Sequence, residues 1–359
     1  MHLGMAAIFQ NPENHITDGE VYANELKLAA LAEPLGFDSI WGVEHHFTDY
    51  TMCPDVLQFL TYMAGRTERI QLGSMVVVLP WHDPIRVAEQ VSMLDHISEG
   101  RFILGLGRGA GRIEFEGFGV DMGESRERFV EAAEIVLTGL EQGWCEYDGK
   151  HYQQAARDVR PRPARTFKGR TYAAAVSPES VEIMARLGIG ILVIPQKPWD
   201  MIDHELTTYR KVFQEVNGAP APAPIISGWV FCDQDEQRAR EMAVRWIGGY
   251  WETARKHYEI GGAHFANTKG YEFYAAMSAA QQASAAETTE AYLDLQVWGT
   301  PQMCIDRIRQ TTERMRSETF NSVFSYAGMP YDEAERNLRL FAQEVLPALR
   351  DEQAVAAGS

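Results

Sequence analysis

Residues 70–79 read IQLGSMVVVL, a run so rich in apolar and β-branched side chains that neither face of a strand here can meet water. Such a run predicts a strand that is covered on both sides, as in a parallel sheet flanked by helices. Amphipathic stretches with helical spacing lie before and after it, at Pro54–Thr67 and Pro84–Ser98. The alternation of strand and helix continues through most of the chain, which predicts a parallel α/β fold.

Eight apolar runs have the character of buried strands. They are His2–Phe9, Phe37–Gly42, Ile70–Leu79, Arg101–Leu106, Thr171–Ala175, Ile189–Ile194, Ile225–Phe231 and Phe320–Tyr326. Their number and the chain length favour a (β/α)8 TIM barrel, with residues 1–359 as a single domain, over an open doubly wound sheet. Residues 260–296 include a polar, alanine-rich stretch that breaks the alternation. We expect them to form an insertion between strands seven and eight, acting as a mobile loop or lid.

Composition limits the classes of partner. The chain of 359 residues has a formal net charge of −17, so it lacks the basic surface that nucleic acid requires. It has no run of 18 apolar residues and no basic leader followed by a cleavage site, so we expect neither a membrane span nor a secretory signal. The four cysteines are scattered without a CxxC pair, which predicts reduced thiols in a cytoplasmic protein.

The stretch Trp41–Asp49, WGVEHHFTD, places two adjacent histidines directly after the second strand. A metal site formed by both is the weaker interpretation, because adjacent side chains on extended backbone point to opposite sides. We expect one histidine to face the barrel mouth and the other to pack away from it. Catalytic base and hydrogen-bonded structural histidine both remain open for the first.

The fourth and fifth strands each end in a candidate anion site. Gly105–Gly111 reads GLGRGAG, which fits neither GxGxxG nor a Walker loop, but sets Arg108 where backbone N–H groups can also approach an anion. Ser177 precedes Pro178 at the start of a helix, as an ordinary N-cap does. The hydroxyls of Ser177 and Ser180 at a helix N-terminus also suit a phosphate, and barrels commonly bind phosphate at strand ends.

Two other patterns have structural interpretations. Glu114 and Glu116 in RIEFEGFG read as a solvated loop rather than a glycosidase pair. Trp246, Tyr250 and Trp251 form an aromatic stripe at helical spacing, for which core packing is the default and an aromatic wall for a flat cofactor is the alternative.

Several motifs together resemble the luciferase-like flavin monooxygenases, and in order and spacing the alpha subunit of bacterial luciferase. The motifs are EHHF at Glu44–Phe47, VVLPWHDPIR at Val77–Arg86, LDHISEGRF at Leu94–Phe102, GLGRG at Gly105–Gly109, FGVDMGESRERF at Phe118–Phe129 and WGTPQMCID at Trp298–Asp306. The resemblance covers most of the chain, and several motifs at once are specific where any one would not be.

This resemblance implies a barrel that binds reduced FMN at the carboxyl ends of its strands. His45 matches the family's catalytic histidine and would act as a base or hydrogen-bond partner near the flavin, with Glu44 beside it in the cofactor site. Arg108, Ser177 and Ser180 match positions that hold the FMN phosphate.

Other matched positions surround the flavin ring. Met75-Val76 falls where relatives have a non-prolyl cis peptide, and Tyr250 falls near a position that packs an aromatic ring on the flavin. Luciferase has a cysteine where this chain has Gly107 and a glutamate where it has Val176. Both departures lie beside the flavin, so the resemblance favours a dark enzyme over a light-emitting one.

The function implied is an FMNH2-dependent two-component monooxygenase. It would insert one oxygen atom from O2 into a small apolar aldehyde, ketone or terpenoid through a peroxyflavin. The sequence has no dinucleotide fingerprint, so a separate NAD(P)H:FMN reductase is expected as a partner, and relatives imply a homodimer. The alternatives are a deazaflavin-dependent hydride-transfer oxidoreductase and a non-catalytic flavin-binding relative.

Overall fold

The computed structural model describes residues 1–272, 275 and 285–356. Its strands are β1 His2–Ala7, β2 Ser39–Gly42, β3 Gln71–Ser74, β4 Val77–Val78, β5 Phe102–Gly107, β6 Trp144–Asp148, β7 Gln153–Asp158, β8 Thr171–Ala174, β9 Gly190–Val193, β10 Ile225–Cys232, β11 Val297–Gly299 and β12 Thr319–Val323. Its helices of a turn or more are α1 Asp18–Ala29, α2 Val56–Ala64, α3 Pro84–Ile97, α4 Arg112–Phe118, α5 Ser125–Gln142, α6 Pro178–Arg186, α7 Trp199–Asn217, α8 Glu236–His257, α9 His264–Asn267, α10 Ala285–Asp294, α11 Pro301–Met315 and α12 Tyr331–Ala356.

Parallel pairing closes the sheet into a barrel. The ring runs β1, β2, β3, β5, β8, β9, β10 and β12, and β12 pairs with β1 to complete it. All eight predicted strands are present, so the prediction of a (β/α)8 barrel is confirmed. The third predicted strand is divided into β3 and β4 at Met75-Val76, whose peptide bond is cis.

The helices begin where the sequence supplies caps. At α1, Thr17 and Glu20 form a reciprocal capping box, and at α3 the Asp83 carboxylate accepts from the Arg86 N–H ahead of Pro84. Ser177 caps α6 in the same way, with Pro178 at the first helical position. The core lies between this helical layer and the barrel strands, most of whose residues are buried.

Several elements were not predicted from the sequence, among them α4 and α11. An antiparallel hairpin, β6–β7, follows α5, and β11 adds to the edge of β10 before α11. The segment between the seventh and eighth barrel strands therefore contains α8 to α11 as well as β11. Of the predicted lid at 260–296, residues 273–274 and 276–284 lie outside the described residues.

The four cysteines, Cys53, Cys145, Cys232 and Cys304, are buried free thiols. In the described part of the chain, no helix combines the length and the apolar content needed to cross a membrane.

Candidate active site

A cavity of about 250 Å³ opens at the carboxyl ends of the barrel strands. Its walls come from the loops after β2, β4, β5 and β8 and from α5, α6 and α8. Most of the residues that line the cavity are apolar. The cavity brings together nine of the ten predicted site residues, which are Glu44, His45, Met75, Val76, Gly107, Arg108, Val176, Ser180 and Tyr250.

His45 is held at both ring nitrogens. Its Nδ1 lies 2.9 Å from Glu114 Oε1, and its Nε2 lies 3.2 Å from the hydroxyl of Tyr258. The side chain is 16% exposed and lines the cavity, so it can meet a ligand there. This is the histidine that the sequence analysis expected at the barrel mouth.

His46 packs away from the cavity, as expected for its neighbour. Its ring meets Trp81 and Phe118 edge to face, and its Nε2 lies 3.2 Å from Glu44 Oε1. Glu44 is buried, and it also accepts hydrogen bonds from His82 Nε2 at 2.7 Å and from the Val78 N–H at 3.1 Å. Burial works to raise the pKa of the Glu44 carboxyl, but these hydrogen bonds outweigh it and lower that pKa.

Glu114 corrects the sequence interpretation of a solvated loop. Its side chain is fully buried on α4. Its Oε1 lies 2.9 Å from His45 Nδ1 and accepts a hydrogen bond from the backbone N–H of His46, also at 2.9 Å. Its other oxygen lies 3.6 Å from Nε2 of His257, the last residue of α8. Burial opposes ionisation, but the charge and hydrogen bond of His45 and the nearby ring of His257 lower the pKa of Glu114 to about 2. A buried carboxylate thus joins two histidines.

Hydroxyl groups extend this network along the cavity wall. Tyr258 hydrogen-bonds to Tyr50, whose hydroxyl lies 2.5 Å from that of Tyr250. The ring of Tyr250 stacks on Trp229 with centroids 3.9 Å apart. Burial raises the pKa of Tyr50 and of Tyr250, so both phenols stay protonated. The aromatic residue predicted near the flavin thus lies in the cavity wall.

Cationic and hydroxyl groups gather at the loop after β5 and the start of α6. Arg108 Nη1 and Arg126 Nη2 both donate to the carbonyl of Gly270, at 2.8 and 3.1 Å. Ser180 lines the cavity, while Ser177 is buried behind it with the two hydroxyl oxygens 2.8 Å apart. The Nε of Arg126 is buried and has no hydrogen-bond partner among the described residues. Arg126, in the first turn of α5, is a site residue that the sequence analysis missed.

Gly107 and Val76 are in close contact at one wall of the cavity. A Cβ on Gly107 would lie 2.2 Å from Val76 Cγ2, so a larger residue at 107 requires Val76 to move. On the neighbouring strand end, the carbonyl of Val176 accepts from Lys197 Nζ at 2.8 Å. Lys197 is itself buried against Glu205, with Nζ 2.5 Å from Oε1. The backbone next to the cavity is therefore fixed by side chains behind it.

The described part of the segment after α8 covers the loop that contains Arg108. The Tyr271 hydroxyl donates to the carbonyl of Gly109 at 2.8 Å, and the Arg108 guanidinium lies 4.1 Å from the centre of the Tyr271 ring. Phe265 and Tyr271 form a small apolar cluster with Phe115 and Met122. Residues 264–272 are thus attached to the cavity by polar and apolar contacts together.

Comparison with known proteins agrees with this geometry. The sequence profile of the luciferase-like monooxygenases matches residues 1–318. The alkanal monooxygenase alpha chain of Photorhabdus luminescens is 27% identical over 357 residues, which cover 96% of each chain. The monooxygenase RslO1 from Streptomyces bottropensis is 26% identical and superimposes with a TM-score of 0.78 over 97% of this chain and 99% of that one.

A third similar structure shares the fold at lower identity. It is the oxygenating constituent of 3,6-diketocamphane monooxygenase from the CAM plasmid of Pseudomonas putida, a type II Baeyer–Villiger monooxygenase in complex with FMN. It is 18% identical, with a TM-score of 0.74 over 97% of this chain and 98% of that one. The chain belongs to the luciferase-like monooxygenase family. It is accordingly a flavin-dependent monooxygenase, an oxidoreductase that acts on a small molecule and O2.

Proposed function

We propose that this chain is the oxygenating component of a two-component monooxygenase that uses FMNH2 and O2 to oxygenate a small apolar aldehyde, ketone or terpenoid. The observation that carries the proposal is one apolar cavity that contains both a carboxylate-held imidazole and a pair of guanidinium groups. The imidazole suits proton transfer, and the guanidinium pair suits a phosphate.

The residues around the cavity fit a reduced flavin mononucleotide. Arg108, Arg126 and Ser180 offer charged and hydroxyl donors to a phosphate, and Arg126 Nε is a buried donor that still needs an acceptor. The cavity wall at Gly107, which has no side chain, and the aromatic ring of Tyr250 suit a planar ring system. When bound, reduced flavin supplies the electrons that activate O2.

His45 and Glu114 have complementary roles in this proposal. Glu114 fixes the imidazole through Nδ1, and Nε2, which lies beside the Tyr258 hydroxyl, is the nitrogen that would exchange a proton with a ligand in the cavity. Glu44 keeps His46 and His82 in place and thereby supports the loop that carries His45. The apolar remainder of the wall excludes water from the reacting groups. We propose that residues 260–272 cover the site as part of the lid predicted at 260–296.

The remaining partners are part of the same proposal. A separate NAD(P)H:FMN reductase would supply the reduced flavin, and the chain would act as a cytoplasmic homodimer. Incubation with NADH or NADPH and FMN should leave the reduced nicotinamide unconsumed until a reductase is added. Sedimentation equilibrium measures the oligomeric state directly.

The decisive experiment is anaerobic titration of photoreduced FMN with the protein, followed by rapid mixing with O2 while absorbance is recorded. We expect saturable binding, then a transient species that free FMNH2 does not give. Decay identical to that of free FMNH2 would contradict the proposal. If FMNH2 does not bind but a reduced deazaflavin does, the chain is instead a hydride-transfer enzyme.

A further inference from the structure

Three side chains that suit a metal ion converge from three different elements. His45 follows β2, Glu114 lies on α4 and His257 ends α8. One potential ligand atom from each lies within 4.8 Å of the other two. Glu114 and His257 are buried, and His45 and Glu114 line the cavity. Two imidazoles and a carboxylate form a donor set that borderline divalent metals such as Zn²⁺ and Fe²⁺ prefer.

Two of these atoms face each other without a hydrogen bond. Glu114 Oε2 and His257 Nε2 are both buried and both without a hydrogen-bond partner among the described residues, although they are only 3.6 Å apart. Tetrahedral zinc with bonds of about 2.0–2.1 Å holds its ligand atoms about 3.4 Å from one another, close to this separation. The hydroxyl of Thr48 lies 3.1 Å from His257 Nδ1 and orients the ring, as outer partners of ligating histidines do.

Gly111 keeps the space between these two atoms open. Its φ of −77° is accessible to any residue, so the backbone does not require glycine there. A Cβ at this position would lie 2.4 Å from Glu114 Oε2 and 3.0 Å from His257 Nε2. A side chain at 111 would therefore enter the space beside both atoms and crowd the Glu114 oxygen. The absent side chain leaves a space next to both unpartnered atoms.

We propose that His45, Glu114 and His257 bind one divalent transition-metal ion of the Zn²⁺ class, in the space left by Gly111. Three protein ligands leave a further coordination position for water on the side of the cavity. Binding of the ion does not depend on the proposed function. One consequence does: because His45 is also the proposed proton-transfer residue, the metal-loaded chain is expected to be inactive.

The test is direct binding of Zn²⁺ to the untagged, metal-free full chain by isothermal titration calorimetry, with Co²⁺ absorption as a report on geometry. We expect one Zn²⁺ per chain and an intense visible band from tetrahedral Co²⁺. Gly111→Ala, His257→Gln and Glu114→Gln should each weaken binding by about 10-fold or more. The matched control is His204→Gln, which removes an exposed histidine and should leave the affinity unchanged.

Gly111→Ala is the most informative variant, because it alters no ligand and adds only one methyl group. Circular dichroism of each metal-free variant establishes that it is folded before its binding is measured. Unchanged affinity in folded Gly111→Ala and His257→Gln would overturn the proposal, as would loss of binding in His204→Gln. Absence of Zn²⁺ binding by the wild-type chain would overturn it outright, whatever the outcome of the FMNH2 experiment.

Discussion

The contacts of His45 suit the proton transfer that we propose for this side chain. Glu114 holds Nδ1 and Tyr258 contacts Nε2, so the ring has one orientation and its outer nitrogen points along the cavity wall. The adjacent His46 has the same residue type but a structural role, because it bonds to Glu44 and packs on aromatic rings. The two neighbours have different partners because their side chains leave the backbone on opposite sides.

Replacement of His45 by glutamine should remove proton transfer and leave flavin binding intact. We expect turnover to fall by about 10²- to 10⁴-fold, the usual contribution of a positioned acid or base. Steady-state oxygenation of a substrate found by screening measures turnover, and anaerobic titration measures FMNH2 affinity. His204→Gln is the control for histidine removal. Full turnover by a folded His45→Gln variant would exclude the role proposed for this residue.

Arg126 should distinguish FMN from riboflavin. A charge-assisted hydrogen bond contributes about 1.5–3 kcal/mol, so Arg126→Gln should weaken binding of FMNH2 by about 10-fold or more. Binding of reduced riboflavin, which has no phosphate, should not change. Arg128→Gln is the matched control, since Arg128 lies on the same helix and pairs with Glu124. Equal losses for the two flavins would show that Arg126 does not meet the phosphate.

The sequence predicted part of this site for a physical reason. His45, Arg108 and Ser180 follow strands or begin a helix, and the carboxyl ends of barrel strands meet at one face. Glu114, Arg126 and His257 lie on helices. In a sequence, a charged or polar residue within a helix looks like part of the face that meets solvent, so nothing marks these three as site residues. Only the folded chain shows that α4 turns Glu114 inward and that α8 ends beside it. Such sites depend on contacts between distant segments.

Among the helices and strands, prediction succeeded where burial gives a regular pattern. The eight barrel strands are mostly buried and rich in apolar residues. The hairpin β6–β7 was missed because most of its side chains are exposed and polar, which leaves no apolar alternation. Helix α11 was missed because the stripe that it buries contains Thr311 and Thr312 beside Ile305 and Ile308, so its apolar face is incomplete in the sequence.

The segment after α8 is held on the cavity by a contact that a small change can weaken. Tyr271→Phe removes the hydroxyl that donates to the Gly109 carbonyl and also approaches Ser125. Loss of about 1 kcal/mol per hydrogen bond should raise the open population of residues 264–272 by about 5-fold or more. Amide hydrogen exchange of these residues measures the open population, and Tyr62→Phe, at an exposed tyrosine, is the control. Identical exchange in both variants would contradict the attachment.

The stability of the whole molecule should depend on a buried carboxyl that has no part in the proposed chemistry. Burial raises the pKa of Glu25 to about 7, even though hydrogen bonds such as that from Ser325 Oγ at 2.5 Å oppose the shift. The folded chain therefore holds a proton between pH 4.5 and 7 that the unfolded chain has lost. Its contribution to stability is present below pH 4.5 and is lost as the pH rises to about 7.

Glu25→Gln should consequently flatten the pH dependence of unfolding. Over this range the wild-type free energy of unfolding should fall by about 3 kcal/mol relative to the variant, from a pKa difference of about 2.5. Urea unfolding at intervals from pH 4.5 to 8 measures the difference, and the exposed Glu68→Gln should retain the wild-type slope. Parallel curves for wild type and Glu25→Gln would show that this carboxyl is ionised throughout.

The burial of all four thiols has a consequence for the working life of the enzyme. Reduced flavin that meets O2 without a substrate yields hydrogen peroxide, and peroxide oxidises cysteine through the thiolate. Burial raises the pKa of Cys53 to about 12 and removes the sulfur from solvent, so the reactive form is absent at neutral pH. The other three thiols are buried as well, so peroxide released without turnover of a substrate has little access to any cysteine of the chain.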